Sequence, residues 1–239
     1  MNTLYEHSTL ASLMAGNFDG TITLKDLLTH GSYGLGTFSG LDGEVIILDN
    51  EVYQATSSGK VNHITDMNTK LPFASVHFPK DLIELSPENA DFNYVNQTLV
   101  KEQKLQNVFA AIQLKGSFPF LHTRIAPKQE KPYPSLLEVA QNQPEFTFED
   151  LTGTIIGYYA PAIFGSVTAS GWHLHFISDD HQIAGHVLDF KAENLSGNLE
   201  IFDTLQQHFP INDSDFRDSE VDLASVKEGI EKSEGSSNK

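Results

Sequence analysis

At 239 residues the chain is about 1.6 times a ~150-residue domain, and 39% hydrophobic residues are enough to build a full core. Fifteen Lys and Arg against thirty-two Asp and Glu leave a net charge of -17, which argues against nucleic acid and an anionic membrane surface as partners. With no cysteine, disulfides, thiolate catalysis, iron–sulfur clusters and Cys-type zinc sites are excluded, so any metal must sit on His and carboxylate.

The opening Met1-Asn2-Thr3-Leu4-Tyr5-Glu6 lacks the basic and apolar regions of a secretory signal. No run approaches the ~18 apolar residues of a membrane span, so the expectation is a soluble, cytoplasmic protein. Short helices are expected over residues 8–15 and 24–30. Thr23-Leu24-Lys25-Asp26 caps the second, with Leu24, Leu27 and Leu28 on its apolar face. Gly31, Gly34 and Gly36 then read as a loop ending near Thr37. Gly43 to Asp49 and Val52 to Ala55 flank the turn-like Asp49-Asn50-Glu51 as a β-hairpin, and 71–78 reads as a strand.

From Pro87 to Lys104 the pattern is polar and helical, with Phe92, Val95, Leu99 and Val100 near one face. Val108 to Leu114 and Phe118 to Arg124 read as a second hairpin across Lys115-Gly116-Ser117. A proline-punctuated connector, Pro127 to Pro134, precedes a short helix over Leu136, Leu137 and Ala140. Strands follow at 153–159, 170–177, 183–190 and 194–203. The fold class expected is α/β or α+β, with two tightly packed sheet-containing domains. The division expected is a mixed α/β domain over 1–125, a β-rich metal-binding domain over 126–211, and a tail over 212–239. That tail holds eight acidic and four basic residues with few apolar anchors, and composition alone makes it loosely attached.

Four of the ten histidines lie between Gly171 and His186. In a strand, His173 and His175 share one face while Trp172, Leu174 and Phe176 take the other. A loop over Asp179 to Gln182 sets His186 opposite His175 on the same face. Three imidazoles then converge on one ion, and without thiolate they suit Zn²⁺, with Fe, Co, Ni and Mn as alternatives. The competing reading is a polar strand face with incidental histidines. His181 is read as a solvated loop residue, and His7, His30, His63, His77, His122 and His208 show no partner spacing. Of only two arginines, Arg124 is better placed than Arg217 to reach a site, where its planar fork suits a carboxylate. A surface salt bridge is the alternative for Arg124. Glu44 reads equally as a buried acid or a strand-edge charge.

Several motifs in order, Tyr33-Gly34-Leu35-Gly36-Thr37-Phe38, Leu41-Asp42-Gly43-Glu44, Glu130-Lys131-Pro132-Tyr133, Gly171-Trp172-His173-Leu174-His175-Phe176 and Gly185-His186-Val187, resemble α-acetolactate decarboxylase. The resemblance implies that His173, His175 and His186 are zinc ligands, Arg124 the catalytic arginine, Glu44 a strand glutamate in the site, and Thr37 a site-lining threonine. It also implies a tail glutamate reaching the site, placed on Glu234 with Glu231 as the less favoured match. That would order the end of the tail, against its composition. The implied reaction converts (S)-2-acetolactate to (R)-acetoin and CO₂, within acetoin and butanediol formation. A metal stabilises the enediolate without thiamine or pyridoxal, and a homodimer is implied. Two rival classes remain: another three-His metalloenzyme, such as a cupin-like oxygenase or a hydrolase, and a non-catalytic β-rich binding module.

Overall fold

A computed structural model describes residues 1–220. Its architecture is α+β and sheet-rich, with only short helices among the described residues. A seven-stranded sheet is built from Thr3–His7, Tyr33–Thr37, Glu44–Leu48, Glu51–Ala55, Val61–His63 and Phe73–His77, with Thr204–His208 returning to pair in parallel with Thr3–His7. The expected hairpin is present, Glu44 opposite Ala55 and Leu48 opposite Glu51, with Asp49 and Asn50 both left-handed as such a tight turn requires. The Thr23 cap also forms: its hydroxyl accepts from Asp26 N–H at 3.1 Å and seats Leu24 and Leu27 in the core.

The second sheet is dominated by Phe109–Arg124, Glu145–Ala160, Gly171–Ser178 and Ala184–Phe202, which pair in that order. The last also pairs with the first, so these four strands close on themselves. Their interior holds Phe118, Phe176 and Phe190, with Phe118 edge-on to the other two at 5.0 and 6.0 Å between ring centres. The segment carrying Val95, Leu99 and Val100 covers this core, starting as a wide helical turn over Tyr94–Leu99.

Three expectations change. Phe109–Arg124 is one continuous strand, not a hairpin across Lys115-Gly116-Ser117. The reason is Gly116: a side chain there would sit 2.8 Å from Leu195 and 3.0 Å from the Glu193 carbonyl. The glycine therefore marks a close approach inside a strand, where the pairing to Ala184–Phe202 shifts register and Asn194 turns left-handed. The same bulge joins residues 183–190 and 194–203 into one long strand. Tyr33–Thr37 is likewise a strand and not a loop, because Gly36 lets the Phe73 carbonyl approach to 2.6 Å of where a Cβ would lie.

The sheets pack face to face. Leu4 and Leu35 meet Phe109, Tyr158 and Phe202; Ile46 and Ala55 meet Ile125, Ile156 and Ile177. At one end of this seam the helices Leu10–Met14 and Leu136–Ala140 bring Leu10, Leu13 and Leu136 against Phe73 and Ala126. That apolar end wall faces the cavity described next.

Candidate metal centre

The hairpin Gly171–Ser178 to Ala184–Phe202 has the expected register, with His175 opposite His186. His186 stands at the same time opposite Arg124 on the other side. Arg124, His186 and His175 thus form one rung across three strands, and side chains on one rung share a face. His173, two residues along from His175, completes the face that looks toward the first sheet. One ring nitrogen from each of His173, His175 and His186 lies within 4.8 Å of the other two.

The lone pairs are aimed as well as close. His175 is fully buried and its Nδ1 donates to the Val45 carbonyl at 3.0 Å, which leaves Nε2 as the acceptor nitrogen. His175 Nε2 and His173 Nε2 are 3.2 Å apart, a spacing that fits two ligands each roughly 2.0–2.1 Å from one zinc ion. Burial, reinforced by the Arg124 charge, drives His173 down to about 3. The same burial holds His175 and His186 well below the ordinary imidazole range. All three are therefore neutral near pH 7, the form that binds metal. The donor set fits a divalent transition ion.

Carboxylate and guanidinium come from different elements. Glu44 opens its strand in the first sheet and is 9% exposed. Its Oε1 accepts from Ala126 N–H at 2.9 Å, and its Oε2 is 3.4 Å from His175 Nε2. Glu44 is thus a buried acid, the reading that spacing left open. Arg124 is also buried and donates from Nη2 to His186 Nε2 at 3.3 Å, so it is no surface salt bridge. Thr37 lies at the wall, its hydroxyl donating to the Gly43 carbonyl at 2.8 Å. Glu231 and Glu234 lie outside the described residues.

Thr37, Glu44, Arg124, His173 and His186 line a cavity of about 50 Å³, and Leu10, Leu13, Leu41, Phe73 and Leu136 give it an apolar wall. A single small polar molecule fits such a space, and charge interactions within it are only weakly screened. Sequence reasoning missed Gln143, which lines the same cavity; no motif or periodicity marks it. It also missed that His7 and His208 meet, Nδ1 to Nδ1 at 2.9 Å. His181, as expected, is an exposed turn residue, with its ring against Tyr53 at 4.5 Å.

A family model described as alpha-acetolactate decarboxylase matches residues 4–223. An alpha-acetolactate decarboxylase of Lactococcus lactis subsp. cremoris is 37% identical over 241 residues, covering 97% of this chain and 98% of the relative. That of Brevibacillus brevis is 42% identical over 202 residues, covering 84% of this chain and 70% of the relative. The crystal structure of the Bacillus subtilis strain 168 enzyme superimposes with a TM-score of 0.93 at 31% identity, over 98% of this chain and all of that one.

Proposed function

The chain belongs to the alpha-acetolactate decarboxylase family and is a carboxy-lyase acting on 2-acetolactate; we propose that it works with Zn²⁺ held by His173, His175 and His186. The observation that carries this is the convergence of three neutral imidazole nitrogens in a cavity shared with a buried arginine and a buried glutamate. When bound, the ion supplies a Lewis acid for the electron density left as CO₂ departs.

The reaction breaks one carbon–carbon bond, releases CO₂, and consumes one proton. Arg124 pairs with the substrate carboxylate through its planar fork, and the apolar wall keeps water from weakening that pair. Glu44, held through Oε1 by the Ala126 N–H, turns Oε2 toward the reacting region and handles protons there. Thr37 shapes the wall beside it. Glu234 is the second acid in this reading, with Glu231 in reserve. Delivery of the proton to one face gives (R)-acetoin from the (S)-substrate.

The protein is further read as a cytoplasmic homodimer serving acetoin and butanediol formation. Among the described residues no helix is long and apolar enough to cross a membrane. The test is CO₂ and acetoin release from racemic 2-acetolactate, with and without a strong chelator, alongside metal analysis. Stoichiometric zinc with chelator-sensitive, oxygen-independent release of chiral acetoin is the expected result. Release that survives complete metal removal would overturn the zinc assignment. A truncation before Glu231 should lower turnover with the fold intact, and unchanged kinetics would remove the tail from the site.

A further inference from the structure

Among the described residues lining the cavity, Gln143 presents a buried side-chain oxygen without a partner: its Oε1 is shielded from solvent and accepts no hydrogen bond. An unsatisfied buried acceptor is costly and calls for a reason. Its position is built by the sheet. Arg124 pairs with Glu145, and the ladder continues one step further through Ile125 N–H to the Pro144 carbonyl at 3.2 Å. Gln143 therefore arrives beside Ala126, the residue whose N–H holds Glu44.

We propose that Gln143 is a specificity-determining substrate contact whose side-chain carbonyl accepts the hydroxyl proton of the 2-hydroxy-3-keto acid. The inference rests on the decarboxylase reading above. The chemistry selects the group: at neutral pH this substrate carries an ionised carboxylate, a ketone and one hydroxyl, so it has a single O–H to donate. Arg124 offers only donors and suits the carboxylate. Thr37 already spends its proton on the Gly43 carbonyl. The orphan acceptor of Gln143 matches the donor that distinguishes the hydroxy-keto acid from a plain keto acid. A site built to accept that proton penalises analogues lacking it.

The test compares two neutral ligands as competitive inhibitors of CO₂ release by the metal-loaded enzyme. Acetoin has the hydroxyl donor; 2,3-butanedione has two carbonyls and none. Gln143→Met removes the acceptor at similar length. It should raise the KM for 2-acetolactate and the inhibition constant of acetoin about three- to tenfold. The inhibition constant of butanedione should stay within about twofold of the parent value. Gln143→Asn, which withdraws the carbonyl by one methylene, should show the same selective loss and decides the matter if the Met variant folds poorly. Equal weakening of both ligands, or of neither, would overturn the proposal. So would a larger loss for butanedione, which would mean the carboxamide presents its N–H groups. Parent turnover in the same assay tests the decarboxylase reading separately from the role of Gln143.

Discussion

Two groups of histidines meet in this molecule, and they meet differently. In the cavity, His173, His175 and His186 turn acceptor nitrogens toward one point while Val45 holds His175 from behind. At the far edge of the first sheet, His7 spends one nitrogen on His208 at 2.9 Å and the other on Thr21 at 2.7 Å. Tyr5 stacks on His30 there at 3.8 Å and leans toward His208 at 6.0 Å. One cluster gathers its ring nitrogens around a cavity, held there by Val45 and Arg124; the other spends both nitrogens of His7 in tying strands together. The number of neighbouring imidazoles is therefore a poor guide to a metal site, and the direction of their lone pairs a good one.

Substitution in each cluster gives the sharpest contrast. His175→Ala should lose the metal and reduce turnover on the order of a thousandfold, because a Lewis acid contributes several kcal/mol to such a step. His7→Ala should keep full metal content and a kcat within about twofold, and should lower the melting temperature through the lost buried hydrogen bonds. Metal analysis and CO₂ release on both variants check the pair, and loss of metal from the His7 variant would erase the distinction.

Next in size is Arg124→Lys. Loss of the planar fork beside His186 should lower kcat/KM roughly 10- to 100-fold with metal retained. Smaller again is metal removal by chelation. It should lower the melting temperature of the parent protein by about 5–10 °C, from ~2.7 kcal/mol of linkage at a hundredfold excess over Kd, and leave the His175→Ala protein unmoved.

The smallest effect is a pH profile of stability, read on chelated protein. Burial lowers His7 to about 3 and His77 to about 4 from 6.5, so stability carried by their neutral forms is present above 6.5 and lost as pH falls toward those values. Burial raises Glu6 to about 8 and Glu200 to about 7 from 4.5, so the stability of their protonated forms declines as pH rises from 4.5 through those values. On chelated protein His173, His175 and His186 add to the histidine slope, which outweighs the carboxyl slope between 4.5 and 6.5, so stability peaks near 6.5 and falls on either side. Glu6→Gln should flatten the alkaline limb, and thermal melts across pH would show an unchanged limb if Glu6 were not its source.

What could be read in the sequence follows the range of each interaction. The ligand hairpin was legible because period-two alternation and a short loop fix which residues face each other, and 175 does meet 186. The Thr23 cap was legible for the same local reason. Gly116 misled because a glycine between two apolar runs looks alike as a turn or as a close approach, and only the partner strand decides. The Glu44 bond to Ala126 spans 82 residues and the His7 bond to His208 spans 201. No local periodicity encodes such pairs. Gln143 was silent for the same reason: its importance lies in what its neighbours leave undone.

The parallel pairing of Thr3–His7 with Thr204–His208 has a consequence for how the molecule is made. At ~5–20 residues per second, roughly 10–40 s of ribosomal synthesis separate these two strands. Throughout that interval the outer rim of the first strand presents unpaired amides and carbonyls, the kind of rim on which chains stick to one another. The five rungs from Thr3 opposite Thr204 to His7 opposite His208 are thus the closing stitches of a nascent chain, and the moment they form is set by the clock of translation.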